Sequence, residues 1–174
     1  MLPLSQINEQ IGNGSTVVDL GCGAGVIAKY LAQNRNRKVI GIDLNKKRLP
    51  KSSQKNLTFE AKDIIHYKPK NADVVILSDV LHHINFNDQE KVLKNIAFYL
   101  KKGGVLIIKE IDTQEFLRST LSRFWDFVFY PTEKVYFSDA KKLKKKLRTL
   151  GFSIEIKRPI RFFPGSTTLF ICTK

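Results

Sequence analysis

At 174 residues, with 43% hydrophobic and 26% charged side chains, the chain has the composition of one globular domain with a substantial core, which excludes a disordered tail or linker. A net charge of +14 admits a polyanionic partner, but no apolar run approaches the ~20 residues of a bilayer span. The polar residues directly after Met1-Leu2-Pro3-Leu4 lead us to expect no secretory leader, and Cys22 and Cys172, far apart in the chain, suggest reduced thiols in a cytoplasmic protein without a zinc site.

In chain order, Leu4, Ile7 and Ile11 form a brief helical stripe. The run Thr16–Leu20 (TVVDL) predicts a strand that breaks into Gly21, Gly23 and Gly25, after which Val26, Ile27, Ala28, Tyr30 and Leu31 continue at helical spacing. Further β-branched runs follow at KVIGID (38–43), LTFEA (57–61), DVVILSD (73–79), GGVLIIKE (103–110), FSIEIKR (152–158) and TTLFICT (167–173). Near-continuous apolar strands separated by helical stretches predict a parallel sheet covered on both faces. The last two runs are joined by a short segment with Pro159, Pro164 and Gly165, too short for a helical crossover, so they predict an antiparallel hairpin. Between the fifth strand and the last helix, residues 113–137 form an insertion apolar on more than one face, with Phe124, Trp125, Phe127, Phe129 and Tyr130. The densest basic cluster, Lys141, Lys142, Lys144, Lys145, Lys146 and Arg148, surrounds Leu143, Leu147 and Leu150 and reads as the solvated face of a helix.

A strand that turns into a helix through closely spaced glycines presents backbone N–H groups and allows a ligand to approach the main chain. The spacing is G-x-G-x-G, with Val26 where a dinucleotide fingerprint would call for its third glycine. The run VVDLGCGAG, with Asp19 two positions before the first glycine, resembles motif I of the class I (Rossmann-like) S-adenosylmethionine-dependent methyltransferases. The resemblance extends over roughly residues 15–174. It implies an α/β, three-layer αβα sandwich with a seven-stranded, mostly parallel sheet closed by a C-terminal antiparallel hairpin, in a single domain spanning 1–174.

The resemblance also implies a cofactor site. Asp43, closing the second strand, would accept both ribose hydroxyls, and Leu44 would pack on the adenine. Asp63, ending the third strand, would take the adenine amine, with Ile64 as an apolar wall. Taken singly, each acid is also what a cap or turn uses; their ordered series gives them the cofactor role. Gly21, Cys22, Gly23 and Gly25 would border the methionyl and ribose end, Asp19 would order the loop or reach the amino group, and Ser78 would line the methionyl pocket. His82 and His83 follow the fourth strand; with one of the two expected to face the cleft, His83 is the candidate base. Glu110 and Asp112, at the fifth strand's end, are substrate-contact candidates, and no third ligand accompanies them for a metal. Trp125 belongs to the aromatic insertion, whose apolar surface we expect to form the lid and pocket wall for an apolar or aromatic acceptor, or else to complete the core or a homodimer interface.

The function implied is an enzyme transferring a methyl group from S-adenosylmethionine to a small molecule and leaving S-adenosylhomocysteine. An RNA methyltransferase and a catalytically silent methyltransferase-like binding module remain open. Nucleic acid is not favoured, because the chain lacks Asn-Pro-Pro-Tyr, Asp-Pro-Pro-Tyr and a Pro-Cys nucleophile. An NAD-dependent dehydrogenase would fit Asp43 but not the loop spacing.

Overall fold

The computed structural model describes residues 3–51, 54–111, 136, 139–157 and 167–174. Seven strands form one sheet: β1 Thr16–Leu20, β2 Lys38–Asp43, β3 Leu57–Ala61, β4 Val74–Ser78, β5 Val105–Ile111, β6 Ser153–Lys157 and β7 Thr167–Thr173, in the order β3-β2-β1-β4-β5-β7-β6. The first five pair in parallel, whereas β7 inserts antiparallel between β5 and β6. This is the sheet the apolar runs predict.

Strand alternation sends side chains into two cores. Val18, Leu20, Val75, Leu77, Leu106 and Ile108 face one layer, and Val17, Val39, Val74, Ile76, Ile107 and Leu169 face the other. Helices α1 (Leu4–Asn8) and α2 (Val26–Leu31) cover the second face through Ile7, Ile27, Ala28 and Leu31. Helices α3 (Phe86–Tyr99) and α4 (Ala140–Thr149) cover the first. Asn85 caps α3 by accepting the Asp88 N–H at 3.0 Å, and Asp139 caps α4 by accepting that of Lys141 at 2.8 Å. Leu143 and Leu147, one turn apart, bury the apolar edge of α4. The buried Arg37 ties down the N-terminal segment by donating to Asn8 Oδ1 at 2.6 Å and to the carbonyls of Ile11 and Gly12.

One expectation needs correcting. The alternation of strands and helical stretches fails at residues 44–56 and 62–73, where the described residues form turns. In 62–73, Asp63 Oδ1 accepts the Ile65 N–H at 2.8 Å, and Asn71 sits at φ 60. The side-chain bond offers the backbone an alternative to helix, and Pro69 removes a donor. Ile64, Ile65 and Tyr67 still cover the core from this segment.

The chain builds outward from β1 to β3, then returns to place β4 on the other side of β1. That reversal opens a crevice at the C-terminal ends of β1 and β4, where open α/β sheets bind ligands.

Candidate cofactor and acceptor cavity

A cavity of about 940 Å³ occupies this crevice. The β1 loop contributes Gly21 and Gly23, the end of β2 contributes Asp43 and Leu44, the end of β3 contributes Asp63 and Ile64, and the end of β4 contributes Ser78. Four separate strand ends thus bring together most of the residues singled out from the sequence.

The three loop glycines all have positive φ, 74, 53 and 71 for Gly21, Gly23 and Gly25, but their surroundings differ. A Cβ on Gly21 would lie 2.5 Å from Val80 Cγ2, and one on Gly25 would lie 2.6 Å from the Phe59 ring, whereas one on Gly23 meets nothing within 4 Å. The expectation that all three make room for a ligand is therefore corrected. Gly21 and Gly25 make room for the protein's own side chains, and Gly23 alone of the three opens onto free space. Its N–H is fixed by Asp43 Oδ2 at 2.8 Å.

Asp43, 8% exposed, also accepts the Asn45 N–H on Oδ1 at 2.8 Å. A carboxylate offers about four acceptor positions, so half its capacity stays available on the cavity wall. Leu44 is 72% exposed and shares the cavity with the buried Ile64. Asp63 lines the same wall.

Two predicted loop contacts lie behind the loop instead. Asp19 is buried beneath it and is not among the cavity-lining residues. Its Oδ2 has no hydrogen-bond partner among the described residues. Burial drives its carboxyl up to about 7, against the pull of the Ala28 N–H, with the nearby Asp43 adding to the rise. Cys22 turns its sulfur toward Gly41 and gives its N–H to the Ile42 carbonyl at 2.9 Å. Burial raises its thiol to about 12, so it stays protonated and inert.

Beyond Ser78 the wall is built from a network. Glu110 is 8% exposed and does not line the cavity, correcting its expected role as a substrate contact. It shares the parity of Leu106 and Ile108 on β5, so it points at the turn after β4. There Oε1 accepts the N–H groups of Val80 and Leu81 at 3.2 and 2.8 Å, and Oε2 lies 2.7 Å from His82 Nδ1. Both histidines line the cavity, contrary to the expectation that one would, with ring centroids 4.2 Å apart; His82 is buried and His83 exposed. Gln89 donates to the carbonyls of Leu81, Ile84 and Tyr136, and the Tyr136 N–H donates to the His82 carbonyl at 2.7 Å.

Sequence reasoning missed several residues of this wall and its support, among them Asp79, Gln89, Lys109 and Tyr136. Asp79 sits at φ 56 and is gripped by the buried Lys109, whose Nζ reaches both carboxylate oxygens at 2.6 and 2.5 Å. A lysine inside the apolar run VLIIKE was the available signal. Tyr136 lines the cavity at the end of the insertion. Asp112, Trp125 and the remainder of 113–137 lie outside the described residues.

The methyltransferase domain family matches residues 3–156. The chain belongs to that family. Among curated relatives, a carboxy-S-adenosyl-L-methionine synthase of Staphylococcus epidermidis is 30% identical over 115 residues, covering 63% of this chain and 50% of that protein. A ubiquinone biosynthesis O-methyltransferase of Coxiella burnetii is 28% identical over 118 residues, covering 63% and 49%. The chain thus spans about half the length of the curated relatives it matches. Of the solved structures, a SAM-dependent methyltransferase from Archaeoglobus fulgidus superposes with TM-score 0.80 at 19% identity, over 98% of this chain and 91% of that one. The magnesium protoporphyrin IX methyltransferase of Synechocystis, solved with bound SAH, gives 0.76 at 21% identity, over 98% and 81%. At these identities the likeness is one of fold.

The residues of this methyltransferase domain fit S-adenosylmethionine. The space over Gly23 admits a ligand against the main chain, the unused acceptor positions of Asp43 suit a diol, and Leu44 and Ile64 supply apolar surface for a base.

Proposed function

We propose that this methyltransferase domain binds S-adenosylmethionine across the β1 loop and transfers its methyl group to a small-molecule acceptor, releasing S-adenosylhomocysteine. The observation that carries the reading is the Gly23–Asp43 junction, where a backbone fixed at 2.8 Å faces open space beside a carboxylate with unused acceptor positions. In this reading Asp43 receives the ribose hydroxyls, Leu44 and Ile64 flank the adenine, Asp63 receives its amine, and Ser78 borders the methionyl end. Asp19 orders the loop from below.

When bound, the cofactor supplies a methyl group already activated for in-line displacement, which leaves alignment and proton removal to the protein. We assign proton removal to His82 in place of His83. A carboxylate only accepts, so Glu110 fixes the proton on His82 Nδ1 and makes Nε2 the basic nitrogen. Ile84 and Tyr136 on the same wall suit a hydroxyl or thiol carried on a compact apolar or aromatic body. Support for a small-molecule acceptor, though not for its acceptor atom, comes from the Coxiella and Synechocystis proteins, whose names specify ubiquinone biosynthesis and magnesium protoporphyrin IX. Among the described residues no helix is long and apolar enough to cross a membrane; a cytoplasmic location forms part of the same proposal.

Equilibrium titration tests the cofactor assignment. S-adenosylmethionine and S-adenosylhomocysteine should each bind one per chain, while NAD should give no saturable signal. Tighter binding of NAD than of either would overturn it.

A further inference from the structure

The lysine cluster of α4 takes no part in the cavity. Lys142, Lys145 and Lys146 join Lys94 of α3 to line a groove of about 530 Å³ between the two helices. Glu90 is the one acid among the residues lining it, and it pairs with Lys94 at 2.8 Å and Lys146 at 3.6 Å. Among the described residues no acid pairs with Lys142 or Lys145. Along α4, Lys141 faces Lys145, Lys142 faces Lys146 and Lys144 faces Arg148 at i,i+4 spacing, so like charges repel within the helix. An external polyanion would relieve that repulsion.

The shape and neighbours of the groove narrow the polyanion. A bilayer presents a plane and leaves a concave groove unfilled, whereas a linear chain of phosphates can lie along it. Residues four apart on a helix are separated by about 6 Å along its axis, which suits Lys142 and Lys146 to successive phosphates of an extended strand. One turn beyond Lys94 on α3, Phe98 is 76% exposed and meets the Tyr99 ring edge-on at 4.9 Å. A basic groove beside an exposed aromatic ring is the combination with which single strands are held, phosphates on the cations and a base stacked on the ring. Asn85 and Asp88 at the head of α3 line the cavity, so the groove lies on the same helix, farther from the cavity mouth.

We propose that the α3–α4 groove is a docking surface for a single-stranded polynucleotide, with Lys94, Lys142, Lys145 and Lys146 on its phosphates and Phe98 under a base. The surface goes beyond the small-molecule reading of the cavity and stands independently of it.

The test is fluorescence anisotropy with a labelled mixed-sequence 12-nucleotide single strand, as RNA and as DNA, across a salt series. The triple variant Lys142→Ser, Lys145→Ser, Lys146→Ser should weaken binding at least tenfold. It should also flatten the log affinity against log salt slope by about 2, at roughly 0.7 per lost phosphate contact. A control triple, Lys29→Ser, Lys38→Ser, Lys55→Ser, removes the same charge outside the groove and should leave that slope nearly intact. Phe98→Ala should weaken binding severalfold with the slope unchanged. A tighter RNA than DNA arm would name RNA as the strand. Equal losses in the two triples would show diffuse attraction and overturn the groove. So would groove-dependent binding to phosphatidylglycerol vesicles with none to either strand, which would make the surface a membrane contact.

Discussion

Substituting the loop glycines one at a time separates a ligand's space from the protein's own. Gly23→Ala places its Cβ where nothing lies within 4 Å, so its cost to the free protein is the left-handed backbone alone. That is roughly 1–2 kcal/mol, or about 2–8 °C in Tm for a domain of this size. Gly21→Ala bears the same backbone cost and in addition drives its Cβ to 2.5 Å from Val80 Cγ2. Overpacking of that kind adds about 1–3 kcal/mol, giving about 2–5 kcal/mol in total. Thermal melts followed by circular dichroism, with no ligand present, should therefore rank wild type above Gly23→Ala and Gly23→Ala above Gly21→Ala. Calorimetric titration with S-adenosylhomocysteine should single out Gly23→Ala as the milder fold defect with the more direct binding defect, at least tenfold weaker. Unaltered affinity in Gly23→Ala would refute the assignment of that space to the cofactor, as would a melt as low as that of Gly21→Ala.

Other outcomes follow from the buried polar groups. Burial raises the Asp19 carboxyl from 3.8 to about 7, so its contribution to stability is full below about pH 4 and is lost as pH rises through 7. Asp19→Asn should match wild type at pH 4 and exceed it at pH 8 by up to about 4 kcal/mol; urea unfolding showing the same difference at both pH values would sink the argument. Arg37→Met orphans the Ile11 and Gly12 carbonyls and should cost about 2–4 kcal/mol in denaturant unfolding; a change within 0.5 kcal/mol would show that the N-terminal segment does not depend on this clamp. Once a turning-over acceptor is in hand, His82→Gln should lower kcat about 10²–10⁴-fold with little change in S-adenosylmethionine affinity. Glu110→Gln removes the carboxylate beside His82 and should move the acidic limb of the pH profile, where His82 gains a proton, to lower pH, and full activity in His82→Gln would return the proton to another acceptor.

All seven strands were legible because each is a short apolar, mostly β-branched run, buried almost entirely in the central β1 and β4 and far less in the edge strands β3 and β6, and the observed bounds of β1, β2, β3 and β7 coincide with those runs. Gly23, Asp43, Asp63 and Ile64 were legible because each stands at a strand end where the switch in strand order must open a crevice. What escaped the sequence depended on direction rather than position. The reason Gly21 and Gly25 must be glycine looks like a ligand's until Val80 and Phe59 are placed where their Cβ atoms would be, although the Gly21 main chain still lines the cavity. Glu110 looks like a cleft acid until β5 alternation turns it toward the Val80 and Leu81 N–H groups, and the choice of His82 over His83 follows from that same contact. The turns after β2 and β3 were missed because strand alternation implied helices, whereas local side-chain bonds such as that of Asp63 give the backbone another course.

The central claim is that the crevice between β1 and β4 holds S-adenosylmethionine with its ribose on Asp43. A crystal structure of the chain with S-adenosylhomocysteine examines it directly. Both ribose hydroxyls should lie within hydrogen-bond distance of the Asp43 carboxylate, the adenine should rest between Leu44 and Ile64, and the sulfur should face His82. Ligand density elsewhere on the protein, or a ribose turned away from Asp43, would contradict the account.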